Sequence, residues 1–150
     1  KEVTELAEKM QESLANSTKA AMAAQEAAAA LKAAEGDVAK ANVLIQNADT
    51  TVAQTNTAVE TLKEDASASD ELKTAAQESA AAAAKAAAAA KASAENLTAL
   101  VAEKKTAGDA ATKAATDAKT AADESKKKFE ETVQKSVDLK KKFDELDAAK

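Results

Sequence analysis

The sequence predicts an all-α fold, an elongated antiparallel helical bundle or coiled-coil hairpin built from two very long helices. Three observations carry this. Alanine occupies 45 of the 150 positions against two glycines and no proline. That balance belongs to long helices, because Ala has the best intrinsic helix propensity and the two strongest breakers are nearly absent. Apolar and small residues recur at every seventh position over long stretches. Near the middle, one cluster of capping residues in "KEDASASDELK", Lys63 to Lys73, interrupts the pattern.

The first helix is expected from about residue 2 to about 64. Counting by sevens from Val3 gives Val3, Met10, Ser17, Ala24, Leu31, Val38, Ile45, Val52 and Val59. Three residues on lie Leu6, Ser13, Ala20, Ala27, Ala34, Ala41, Ala48, Thr55 and Leu62. These are heptad a and d positions, held in one phase for nine heptads. Gly36-Asp37 reads as a C-cap followed by an N-cap, and the pair recurs at Gly108-Asp109. A turn has no reason to preserve the heptad phase, so the unslipped register favours continuity. A kink or break at Gly36 and Gly108 stays open at this point.

The turn is expected at about 65–70, where Ser67, Ser69 and Asp70 are capping types, and the second helix at about 71–148. Its seven-residue series runs Ala94, Val101, Gly108, Ala115, Ala122, Phe129, Ser136, Phe143. The companion series includes Ala83, Ala90, Leu97, Lys104, Ala111, Ala118, Ser125, Thr132, Leu139 and Leu146. A turn centred between 67 and 68 makes facing residues total about 135, so Val59, Val52 and Ile45 oppose Ala76, Ala83 and Ala90. Large knobs then meet small holes, and the alanine run "QESAAAAAKAAAAAKASAEN" (77–96) becomes a narrow packing surface. At 1.5 Å per residue, about 60 paired residues give a single elongated domain roughly 90 Å long over 1–150. Leu14, Met22, Val43, Leu44, Leu100, Val133 and Val137 fall outside this seam. They leave room for a third packed segment, either the chain after Gly108 folding back or a second copy.

The missing residue types remove most chemistry. There is no His, Cys, Trp, Tyr or Arg, and Phe129 and Phe143 are the aromatic residues. Without His or Cys there is no ordinary zinc, haem or thiol site and no His-based general acid or base. No catalytic residue, cofactor or metal ligand is assigned, and the chain reads as a non-enzyme. A net charge of −5 and the lack of Arg disfavour nucleic acid as a partner. Lys126–Lys128 and Lys140–Lys142 are locally basic. Glu130, Glu131, Asp138, Asp144 and Glu145 interleave with them, which favours a solvated face with intrahelical ion pairs over an anion-binding patch. No run is long and apolar enough to be a transmembrane segment. The chain opens on Lys1 without a hydrophobic leader, which reads as a processed or trimmed form with any signal peptide or anchor signal outside it.

Two triplets fit the N-glycosylation pattern, Asn16-Ser17-Thr18 and Asn96-Leu97-Thr98. Asn96 falls at an outward c position and Asn16 at a flanking g position, so the register leaves space for a glycan at each. Thr112, Thr116 and Thr120 form a four-residue ladder, and Thr50 and Thr61 stand eleven residues apart. A filler role suits these threonines better than a flat ice-binding face, since Leu72 ends the eleven-residue spacing.

The Ala runs at 27–30, 80–84 and 86–90, the segment "TKAATDAKTAADESKKK" at 112–128 and the paired long heptads resemble the glutamic acid/alanine-rich surface proteins of African trypanosomes. That alanine-rich coat family is related to the helical bundles of variant surface glycoproteins. The resemblance covers the whole chain and is one of composition and pattern. It implies a non-enzymatic, rod-like ectodomain shielding a parasite membrane and contacting the insect host. It also implies a cell-surface location, neighbouring coat molecules as partners, and a glycosylphosphatidylinositol (GPI) lipid anchor after the C-terminus, with Lys150 nearest the membrane. Two other readings stand beside it. "KTAGDAATKAATDAKTAADESKKK" at 105–128 would suit a late-embryogenesis-abundant desiccation protein, although the strict heptad through Val38, Ile45, Val52 and Val59 argues against one. A generic coiled-coil scaffold is the third.

Overall fold

The computed structural model describes residues 2–148 and is an all-α helical hairpin. Helix α1 spans Glu2–Glu64 and α2 spans Asp70–Ala148, with no strand among the described residues. Two compact units divide it. In one, the chain up to Ala29 packs with the chain from Thr106 onward; the other is Ala30–Lys105. Each unit contains a stretch of both helices. Lys150, expected nearest a membrane, lies outside the described residues.

Burial follows the heptads residue by residue. In α1 all eighteen expected a and d positions, from Val3 to Leu62, escape full exposure, and Ala7 is the one further residue to do so. In the unit Ala30–Lys105 the most buried side chains are Ala34, Ala41 and Val59 on α1 and Ala87 and Ala94 on α2. In the other unit Ala122 is the most buried. The close approach is made by methyl groups, because two helix backbones pack nearest where side chains are smallest. Lys73 and Lys104 occupy seam positions and are half-buried. A lysine stem can cover apolar surface while its ammonium stays in water.

The register differs from the expected total of 135. Ser13 Oγ lies 3.2 Å from Ser125 Oγ, a pair of residues whose numbers total 138. In the other unit Lys91 Nζ lies 2.9 Å from Asp49 Oδ1, a total of 140. Ile45 shares a surface furrow with Ala94, where Ala90 was expected. The offset sets d opposite d, as at Ser13 and Ser125, in place of a opposite d.

The seam also ends before the expected heptad series does. Ser136, Leu139, Phe143 and Leu146 were expected in it, but every described residue from 134 onward is exposed. With Ser13 beside Ser125, the first residues of α1 fall beside residue 136, and beyond that point α2 has no helix against it. The chain after Gly108 does not fold back as a third segment, since α2 continues to Ala148. Leu14, Met22, Val43, Leu44, Leu100 and Val137 remain exposed, while Val133 is half-buried at the edge of the seam.

Neither glycine breaks its helix. Both carry helical backbone with no positive φ, and a Cβ added at Gly36 or Gly108 would meet nothing within 4 Å. Gly36 therefore costs α1 its propensity and returns no packing or turn. Gly36→Ala is expected to stabilise the protein by about 1 kcal/mol, read as a higher urea midpoint at unchanged slope. A loss of stability would show that the glycine serves a contact or bend absent from this structure.

The turn is built by side chains. Asp65 accepts hydrogen bonds from the Ser67 N–H at 2.8 Å and the Ser67 hydroxyl at 2.6 Å. The Ala68 N–H closes a tight turn on the Asp65 carbonyl at 3.2 Å. Ser69 then caps α2, its Oγ accepting from the Leu72 N–H at 3.3 Å. These bonds, led by the Ser67 hydroxyl and then its N–H, hold the Asp65 carboxyl below its ordinary pKa of 3.8. A folded pKa below the unfolded one means that the stabilisation is present above about pH 4 and lost as pH falls through the folded value. The gap in melting temperature between the wild type and Asp65→Asn is expected to be present at pH 6 and to close below pH 4. A constant gap down to pH 2 would contradict this.

Candidate functional site

The ionisable groups of the described residues all lie at or near the surface, and none of the buried side chains is polar or charged. Among the described residues, no group of three or more His, Cys, Asp or Glu side chains could hold a metal ion. Concavities are surface furrows along the helices. One in the unit Ala30–Lys105 is lined by Asn42, Ile45, Lys91, Ala94, Glu95 and Thr98. Another, in the unit containing both chain ends, lies between Met10 and Leu14 of α1 and Ala122, Asp123 and Lys126 of α2.

Asn16 and Asn96 are both exposed on helical surfaces, one in each unit. The threonines of their triplets turn back on the helix: Thr18 Oγ1 donates to the Leu14 carbonyl at 3.0 Å, and Thr98 Oγ1 to the Ala94 carbonyl at 2.8 Å. In the folded chain the asparagine side chains therefore face solvent while the hydroxyls are occupied. The structure brings neither asparagine into a cluster with other candidate groups.

The threonine ladder behaves the same way. Thr116 donates to the Thr112 carbonyl at 3.0 Å and Thr120 to the Thr116 carbonyl at 3.1 Å. Thr50 and Thr61 bond to the carbonyls of Gln46 and Thr57. Each donor is directed at its own backbone, an ordinary use of Thr within a helix.

The lysine clusters lie among acids, as their spacing indicated. Lys126 reaches Glu130 at 3.8 Å, and Lys127 and Lys128 share a furrow with Glu124 and Glu131. Upstream, Lys113 pairs with Asp117 and Lys119 with Asp123, at 2.9 and 3.1 Å. The Asp117 hydrogen bond and charge raise the Lys113 pKa above its ordinary value. All these groups are well exposed, and exposed pairs contribute little stability.

Two cross-helix polar contacts were not foreseen: the Ser13–Ser125 hydroxyl pair and the Asp49–Lys91 ion pair. Ser13 and Ser125 were both assigned to the seam, so only the register was missing. Asp49 and Lys91 carry no signal of their own among so many surface charges. The most distinctive surface was missed as a surface: the end of α2, where Leu139, Phe143 and Leu146 are each about two-thirds exposed. Comparison with protein-family models, curated proteins and solved structures found no match.

Proposed function

We propose that this chain is a non-enzymatic surface-coat protein, a helical ectodomain that covers membrane by occupying space and is held there by a GPI anchor following its C-terminus. The observation that carries this reading is the alanine seam. The most buried side chains are Ala34, Ala41, Val59, Ala87, Ala94 and Ala122. A seam of methyl groups keeps two helices close, and a close pair has a small cross-section. Coverage at high density needs a small footprint for each molecule. The polar outer faces and the net charge of −5 support the same reading, because they keep crowded neighbours soluble and mutually repelling. Exposed Asn16 and Asn96 provide outward positions for glycans. The likeness in composition and heptad pattern to the alanine-rich trypanosome coat proteins supplies the setting: the cell surface of a parasite in its insect host, with other coat molecules as neighbours.

Intact cells that express the chain provide the test. Phosphatidylinositol-specific phospholipase C is expected to release it from the surface, and antibodies should label it without permeabilisation. Labelling only after permeabilisation would overturn the coat reading. Circular dichroism in dilute buffer addresses the desiccation-protein alternative: the coat reading expects high helicity and a cooperative melt, and a disordered spectrum would favour the alternative.

A further inference from the structure

In the unit Ala30–Lys105 the two flanks of the seam differ in chemistry. Its ten a positions run from Leu31 to Val59 on α1 and from Lys73 to Val101 on α2. The e positions, four residues after each a, lie together on one flank. Lys91 reaches Asp49 there at 2.9 Å, and Asn42 and Thr98 line the furrow beside Lys91. In an antiparallel pair the g positions, one residue before each a, then share the opposite flank. The ten e positions hold five charges, Glu35, Asp49, Lys63, Lys91 and Lys105, and their one apolar residue is Ala84. The ten g positions hold one charge, Asp37, which pairs with Lys40 of its own helix at 2.9 Å. Six of the ten are apolar, and Leu44, Leu72 and Leu100 among them are 62%, 50% and 36% exposed. Of the large apolar side chains left exposed in this unit, only Val43 lies elsewhere.

The geometry points to a second copy of this chain as the occupant of the g flank, two hairpins closing face to face into a four-helix bundle. The pattern calls for more than two helices. A helix with apolar a and d positions alone serves a two-stranded seam, and one that adds g presents the wider face used in bundles. Both helices of this unit add g. A second copy brings the same uncovered flank, so a single contact covers both.

Charge selects the flank. Each copy carries a net charge of −5, so copies repel unless they meet where charges are few. Across the g flank Asp37 is already paired within its copy. The c positions that rim this flank hold one cation and one anion, Lys40 and Glu103, among Ala, Asn, Gln and Thr. Contact through the e flank would instead strip water from five charges in each copy. The area is sufficient. Ala30 to Ala58 spans about 42 Å, and two helices side by side are about 20 Å wide. That is about 800 Å² per copy, the standard size of a specific interface. Three leucines among mostly small side chains set the dissociation constant at the weak end, on the order of 10 µM. This pairing does not rest on the coat reading and is tested on the free chain in solution. Asn96 is also on the rim, so the protein tested is one made without glycans.

Sedimentation equilibrium of the wild type from about 1 µM to about 0.5 mM should show mass rising from monomer to dimer. The rise should stop there, because a two-fold face-to-face contact is closed. Leu44→Lys and Leu100→Lys each place two charges in the symmetric interface and should raise the dissociation constant at least about tenfold. Asn56→Lys adds the same charge on the e flank and should change it by less than about twofold. All three positions are exposed, and unchanged circular dichroism would confirm that each variant folds. Wild type that stays monomeric throughout the range would overturn the second copy as occupant. Asn56→Lys weakening association as much as Leu44→Lys would overturn the choice of flank, and mass growing beyond a dimer would overturn the closed pairing.

Discussion

Val59→Asp is expected to lower the stability of the hairpin by about 4 kcal/mol, and Ile45→Asp by about 2 kcal/mol. Both positions belong to the a series, and both substitutions bring a carboxylate into the seam. The difference between them comes from water. Val59 is 9% exposed and the largest of the buried side chains, whereas Ile45 is half-buried beside an open furrow. A carboxylate at 45 can keep part of its hydration, and the nearby Lys91 ammonium offsets part of the remaining cost. Lys85, exposed on the outer face of α2, provides the contrast. Lys85→Ala removes a solvated charge and leaves a good helix former, so its effect should stay within about 0.5 kcal/mol. Urea unfolding of the three variants under one buffer condition reads the order directly. Equal midpoints for Ile45→Asp and Lys85→Ala would mean that the heptad does not mark the buried face.

The heptad was legible because it is a direct consequence of geometry. A side chain that recurs every 3.5 residues faces one neighbouring helix, and from Val3 to Leu62 the expected positions are the ones withdrawn from solvent. The turn was legible for a similar reason, since Ser67, Ser69 and the residues around them have side chains that satisfy free backbone groups at helix ends. Register was another matter. Much of α2 from 76 to 94 presents alanine to the seam, and one methyl group is much like the next, so totals of 135 and 138 both pair large residues with small ones. Only Ser13 and Ser125, or Asp49 and Lys91, distinguish them, and neither pair stands out from its surroundings in the sequence. The end of the seam was hidden by the same regularity. Leu139, Phe143 and Leu146 keep the phase, and phase alone cannot tell whether α1 extends far enough to meet them. Function was the least legible, because methyl groups, hydroxyls bonded to their own backbone and exposed ion pairs favour a shape without specifying a reaction.

Whether alanine matters by position or only by abundance can be decided with Ala94. This residue is 7% exposed and lines a furrow with Ile45 of α1, whereas Ala88 on the same helix is exposed. Leu and Ala are both strong helix formers, so substituting either alanine by leucine barely alters helix propensity and tests packing instead. Ala88→Leu should change stability by no more than about 0.5 kcal/mol. Ala94→Leu drives three additional carbons into the closest approach of two backbones and should cost about 2 kcal/mol. The register supplies a compensating change. If Ile45 faces Ala94, Ile45→Ala vacates the volume that the introduced leucine side chain needs, and the double variant should recover about 1 kcal/mol or more of the summed loss. Ile45→Ala combined with Ala90→Leu, the partner that a total of 135 would select, should recover less. Urea midpoints for the two cycles measure both coupling energies. Greater recovery with Ala90 would restore the total of 135, and a tolerated Ala94→Leu single variant would mean that the helices are not held at alanine distance. A seam that accepts leucine in place of Ala94 would also widen the pair, and with it the cross-section on which the coat reading depends.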